Sequence, residues 1–329
     1  MSAYSTSTAH IAAEGPHESP GNGEAGFTLV DYAPGVLETL ETLGHSQPSM
    51  PVGLVTPDGD LADAGTLLKK GYVDRIIPTS FRRNPGGGGH ADALAAHGKR
   101  ISALTQVLSP LEGHVLLLTG ATGFVGGHFL RYLLRCSAAR VVVVTRPSSA
   151  LPHDQRLAHL ERLYPGRIQT LRGDIREPGL GISTAVREWL AEEVDSVWHF
   201  AADTRFESVL EEVVFETNLV GTRNVIDFAR ELRGLERFHH VSTAFVAGNQ
   251  PPGQPMPEAV LERPNSFKNP YEASKFEAER AVVASGLPFT IFRPSIVLGE
   301  RVSGHCDGQT VYKVAELIRL ATLVARRAP

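Results

Sequence analysis

The chain has 329 residues, 42 % hydrophobic and 21 % charged, with a formal net charge of −4, the composition of a globular protein with material for a large core. The slightly acidic balance argues against nucleic acid as a partner, and its two cysteines, Cys136 and Cys306, form no metal-ligand spacing and fit a reducing compartment. Without a secretory leader pattern or an apolar run of bilayer length, a cytoplasmic protein with no transmembrane segment is expected.

Residues 1–26 are rich in Ser, Gly, Pro and Ala and read as a disordered tail that buries too little apolar surface to order itself. Over 27–81, "FTLV", "PVGLV" and "VDRII" read as short buried strands separated by helical stretches at "PGVLETLETL" and "DLADAGTLLKK". The pattern resembles a fragment of a receiver domain or of a haloacid-dehalogenase-type fold, and a small accessory α/β lobe is expected. A phospho-acceptor role for Asp31 lacks an upstream acidic pocket. "RRNPGGGGHADA" marks a linker, and 82–110 reads as linker followed by a helix near 93–108. No strong strand feeds Gly86–Gly89, so that run is not expected to cradle phosphate.

From 114 onward apolar runs alternate with helical patterns: "HVLLLTG", "RVVVVTR", "IQTLRGD", "SVWHFAA", "RFHHVSTAF" and "FTIFRPS". Strands this uniformly apolar are covered on both faces, which predicts a Rossmann-type, doubly wound parallel sheet over 111–300. The whole chain is thus an α/β protein with a small N-terminal lobe and a short C-terminal substrate region at 301–329.

"TGATGFVGG" sets Gly120, Gly123 and Gly126 between a buried strand and a helix. The first glycine permits the turn, the second lets backbone approach a pyrophosphate, and the third allows helix and strand to pack closely. With Thr122, Phe124 and Val125 they form a dinucleotide loop whose free N–H groups receive the anion. The G-x-x-G-x-x-G spacing resembles the extended branch of the short-chain dehydrogenase/reductase superfamily. The second strand ends in Arg146, where an NAD-binding protein usually carries an acid. A guanidinium there pairs with the 2′-phosphate of NADP(H), and Arg156 is a second candidate clamp. The resemblance implies that Asp174, with Ile175 beside it in "RGDI", contacts adenine. Ala201 and Ala202 in "HFAADT" are small enough to pack against the nicotinamide ribose, whereas His199 reads as a strand-end packing residue.

"NPYEASKFEAER" places Tyr271 and Lys275 one helical turn apart on one face. Carbonyl reduction needs a proton donor and a group that holds the developing oxyanion. A nearby ammonium lowers a phenol's pKa from about 10, so Lys275 is expected to tune Tyr271. In "HHVSTAFVAG" the hydroxyl beside them is Thr243 by its match to the extended-branch pattern, with Ser242 as the alternative. The resemblance adds Asn218 as a supporting residue, and Pro294 and Ile296, flanking Ser295, as the backbone that closes over the nicotinamide.

Together "GDIREPGLGIS", "AADTRFESVLEEVVFETNLVGTRNVIDFAR", "HVSTAFVAG", "NPYEASKFEAE" and "RPSIVLGE" resemble thioester reductases over about 114–310. That family includes fatty acyl-CoA reductases of the male-sterility type and terminal reductase domains of carboxylic acid reductases and of peptide or polyketide synthetases. The resemblance implies NADPH-dependent reduction of an acyl thioester of coenzyme A or of an acyl carrier protein to aldehyde or alcohol. It also implies a longer segment after "RPSIVLGE" than the amphipathic "VYKVAELIRLATLVARR" found here. Two other readings stay open. One is a sugar-nucleotide epimerase, dehydratase or hydroxysteroid-type dehydrogenase, and for the first two Arg146 is unfavourable. The other is an NADP(H)-binding sensor or scaffold without turnover.

Overall fold

The computed structural model describes residues 8–11, 27–31, 36–46, 52–56, 75–78, 90–146, 153–249, 255–262, 264 and 266–297. The chain divides into two compact units, 1–108 with 297–329, and 109–296. In the first, β1 (Thr8–Ile11), β2 (Phe27–Asp31), β3 (Val52–Thr56) and β4 (Arg75–Pro78) form a sheet in that order. β2, β3 and β4 run parallel. Helix α1 (Val36–Ser46) links β2 to β3 and buries Val36 and Leu40, four residues apart on one face. The strand β1 corrects the expectation that all of 1–26 is unordered: Thr8 pairs with Val30 and Ile11 with Phe27 in an antiparallel ladder, so the edge of β2 satisfies its backbone groups. Helix α2 (His90–Leu108) starts at His90 rather than near 93. The expected helix at 60–70, the glycine run at 86–89, the side chain of Asp31 and the segment 301–329 lie outside what is described.

The second unit is a six-stranded parallel sheet in the order β10-β9-β8-β5-β6-β7. Its strands are β5 (Val115–Thr119), β6 (Arg140–Thr145), β7 (Ile168–Arg172), β8 (Ser196–His199), β9 (Arg237–Val241) and β10 (Phe289–Phe292), the six apolar runs read from the sequence. They are joined by α3 (Phe124–Cys136), α4 (His153–Leu163), α5 (Thr184–Glu193), α6 (Glu211–Phe215), α7 (Gly221–Glu231) and α8 (Pro270–Val283). Every residue of the central strand β5 is buried, as a strand covered on both faces requires. Alternate positions Val115, Leu117, Val142, Val144, Val197 and Phe238 share one core with Leu190 of α5, Val225 and Phe228 of α7 and Val282 of α8. Trp198 points to the opposite face, where Phe129 of α3 stacks on it at 4.3 Å.

The strand order reverses direction between β5 and β8. That is the switch point of a doubly wound sheet, where loops at the carboxyl ends of the strands part and leave a crevice.

Candidate active site

A cleft of about 230 Å³ opens at this switch point, lined by Gly120, Thr122, Gly123, Arg146, Asp174 and Ala201, with Ile175 and Ala202 also at its wall. Gly120 has φ +75°, and a Cβ there would stand 2.5 Å from the Ala201 nitrogen and 2.7 Å from the Phe200 carbonyl carbon. At Gly126 the crowding atom is the Gly120 carbonyl oxygen. Gly123 begins α3 without a side-chain cap, so the helix offers its first N–H groups to an anion. A loop stripped of side chains beneath an uncapped helix fits the pyrophosphate of a dinucleotide. Phe124 packs edge-on to His128 at 4.9 Å, while Thr122 and Val125 are exposed.

Arg146 directly follows β6, exposed at the cleft, and its charge helps hold the carboxyls of both Asp174 and Asp203 below their ordinary values. The side chain of Arg156, on α4, lies outside the described residues. Asp174 is itself gripped by Arg176, whose Nη2 donates to Oδ2 at 2.6 Å and whose Nε donates to both oxygens at 3.1 Å. This pairing, the largest cause of the depressed Asp174 pKa, was not read from the sequence, although Arg176 follows Asp174 by two positions in "GDIR". Ile175 is buried against Gly221, where a Cβ would come within 2.7 Å of its Cδ1.

Thr243 lies just beyond β9 and caps the short turn Ala244–Ala247, its Oγ1 accepting from the Phe245 N–H at 3.3 Å. The Tyr271 phenol lies close enough to the Thr243 hydroxyl for that hydroxyl to lower its pKa, and the Phe206 ring lies 5.6 Å away from the tyrosine ring. Buried Ser242, the alternative hydroxyl, has no hydrogen-bond partner for Oγ among the described residues. Helix α8 starts sharply at Asn269, whose Oδ1 accepts from the Glu272 N–H at 2.9 Å with Pro270 following. That start fixes Tyr271 in the first turn. The Pro294 carbonyl accepts from the Ala244 N–H at 2.9 Å and so abuts the Thr243 turn, while Ile296 is exposed.

Asn218 sits on the π-helical turn Glu216–Val220, a bulge that re-aims a side chain within a helix. Its Oδ1 accepts from the Asp203 N–H at 2.7 Å, and its Nδ2 donates to the Asp203 carbonyl and to Ser274 Oγ, both at 2.9 Å. Ser274 in turn donates to the Tyr271 carbonyl at 3.0 Å. Asn218 therefore ties the segment after β8 to the start of α8.

Lys275, the residue expected to tune Tyr271, makes its hydrogen bonds on β9. Its buried Nζ donates to the Val241 carbonyl at 2.8 Å and contacts His240 Nε2 at 3.2 Å, and burial pushes its pKa down to about 8. Burial raises the Tyr271 pKa, with the Thr243 hydroxyl a smaller opposing influence. The backbone carbonyl and imidazole hold the ammonium toward β9, while the phenol is desolvated on its own side.

The family model NAD_binding_4, described as male sterility protein, matches residues 118–326. Fatty acyl-CoA reductase 1 of Gallus gallus is 31 % identical over 229 residues, 56 % of this chain and 44 % of that protein. Fatty acyl-CoA reductase wat of Drosophila melanogaster is 31 % identical over 233 residues, 58 % of this chain and 45 % of that protein. The chain thus spans somewhat under half the length of these relatives. Among solved structures, the terminal R domain of the myxalamid PKS-NRPS pathway superposes with a TM-score of 0.56 at 30 % identity, over 66 % of this chain and 60 % of that one. A thiolation-reductase di-domain from an archaeal non-ribosomal peptide synthetase gives 0.53 at 25 % identity, over 66 % and 64 %.

Proposed function

The chain belongs to the male sterility protein family of NAD-binding domains, and from that membership we propose that it is an NADPH-dependent reductase of acyl thioesters. Its substrate is an acyl group on coenzyme A or on a carrier protein, and its product an aldehyde or alcohol. The observation that carries this reading is the closeness of the Thr243 hydroxyl to the Tyr271 phenol, with Lys275 one turn on along the same helix, in a sheet whose switch point holds the glycine cleft. The relatives support it: the curated ones are fatty acyl-CoA reductases, and one structural neighbour joins a thiolation domain to its reductase.

When bound, the nicotinamide supplies the hydride. Thr243 and Tyr271 hold the thioester carbonyl oxygen between two hydroxyls and stabilise the negative charge that develops there. Because burial raises its pKa, Tyr271 stays protonated at neutral pH and donates its proton to that oxygen. The resulting hemithioacetal loses thiol to give aldehyde, and a second round at the same hydroxyl pair gives alcohol. Lys275 holds the nicotinamide ribose with the donor that Val241 and His240 leave over. Asn218 keeps the segment from Asp203 in register with α8. Arg146 pairs with the 2′-phosphate, which makes NADPH the preferred cofactor.

The test follows NADPH oxidation and free-thiol release together, using fatty acyl-CoA and acyl-carrier-protein substrates. The expected result is one NADPH per thiol if reduction stops at the aldehyde, and two if it proceeds to the alcohol. NADPH binding without thiol release from any acyl thioester would defeat the reading.

A further inference from the structure

We propose that His240 is a positioning residue for Lys275: its imidazole Nε2 accepts from the lysine Nζ and fixes which way the ammonium presents its remaining proton to the nicotinamide cofactor. The inference rests on the reading above in giving Lys275 a cofactor-binding role.

His240 and Lys275 are both buried, one on β9 and the other on α8. An ammonium has three donors and no acceptor. The Val241 carbonyl takes one at 2.8 Å and His240 Nε2 a second at 3.2 Å, leaving one for a ligand. An imidazolium has no lone pair to offer, so His240 carries its proton on Nδ1, an atom without a hydrogen-bond partner among the described residues.

The groups facing this pair maintain that state. On β8, the His199 ring lies 5.4 Å from His240. Thr222 donates its hydroxyl proton to the Asn218 carbonyl at 2.6 Å, so it accepts from His199 Nε2 at 3.0 Å. Thr119, accepting from the Ala201 N–H, donates to His199 Nδ1 at 2.7 Å. Both ring nitrogens of a neutral His199 are thereby used. On α8, Tyr271 lies one turn before Lys275. Glu279 lies one turn after it and attracts the ammonium, but its carboxylate is bound by Arg293 at 2.7 Å. Burial and the Lys275 charge hold His240 well below the usual imidazole range, so it remains an acceptor at neutral pH.

Two measurements without any acyl substrate test the role. In cofactor-free protein, the Lys275 ammonium is titrated by NMR in the wild type, His240→Leu and His240→Gln. Loss of one acceptor to a charged group lowers the midpoint by about one pH unit in the leucine variant, whereas the glutamine amide oxygen largely restores it. NADPH affinity, followed by fluorescence, falls about tenfold in His240→Leu and does not fall further when that change is added to Lys275→Met. An unchanged midpoint, or an equal loss of affinity in both backgrounds, overturns the proposal. If His240→Leu does not fold, His240→Ala takes its place, with the same expected drop in midpoint and affinity and the same overturning result. Wild-type protein that fails to reduce thioesters while these results hold would remove the proposed function and leave the positioning role standing.

Discussion

Acidification should destabilise this protein through one buried imidazole in particular. His199 is fully enclosed between Thr119 and Thr222, and burial, with the Lys275 charge adding to it, pushes its pKa down to about 3 from 6.5. Between those values the unfolded chain binds a proton that the native state refuses, so stability falls as pH drops through the window. At pH 4 the gap to the unfolded value is about 2.5 units, and at about 1.36 kcal/mol per unit the loss is about 3 kcal/mol relative to neutral pH. The assay is urea unfolding of wild type and His199→Gln at pH 7 and pH 4. The variant starts less stable, because glutamine cannot match both threonine contacts, but its further loss on acidification should be smaller by about 3 kcal/mol. Equal losses in the two proteins would refute the assignment of a neutral, proton-refusing His199.

Three further outcomes follow from named contacts. Gly120→Ala forces a Cβ to 2.5 Å from the Ala201 nitrogen at φ +75°, strain of about 3 kcal/mol; NADPH affinity measured by fluorescence should fall about a hundredfold, and near-normal binding would contradict the cradle. Arg146→Asp should lower kcat/KM with NADPH by at least about tenfold and leave NADH nearly unaffected, read from steady-state rates with both cofactors; an unchanged preference would remove Arg146 as the specificity residue. Arg293→Met strands the buried Glu279 carboxylate, which Arg293 grips at 2.7 and 3.0 Å, and should cost about 3 kcal/mol in urea unfolding, much of it recovered by adding Glu279→Leu; a loss under about 1 kcal/mol would contradict a tight buried pair.

The parallel sheet was legible because runs such as Val141–Val144 in β6 are apolar without alternation, which a strand covered on both faces requires. The glycine loop was legible for a related reason: where a Cβ would stand 2.5 Å from a neighbouring backbone atom, as at Gly120 against the Ala201 nitrogen, no other residue serves, so the constraint is written in residue type. Tyr271 and Lys275 were recognisable from helical spacing, but spacing carries no information about which neighbour a long side chain chooses. Lys275 chose acceptors on β9, 34 and 35 residues away in sequence, and the direction of the Tyr271 shift depends on burial that only packing creates. The Asp174–Arg176 lock escaped notice because a charged pair two positions apart reads as a solvated turn. The strand at Thr8–Ile11 escaped because its stability lies in the ladder with β2 rather than in its own four residues. The π-turn that aims Asn218 leaves no mark in hydrophobic pattern at all.

Tyr271→Phe removes one oxygen and leaves the packed ring beside Phe206 in place. In a single-turnover experiment with NADPH and a fatty acyl-CoA, the variant should bind cofactor as the wild type does and release thiol at least about a hundredfold more slowly, the usual size of a lost proton donor. Thiol release at the wild-type rate would contradict the assignment of Tyr271 as the acid and, with it, the chemistry proposed for this site.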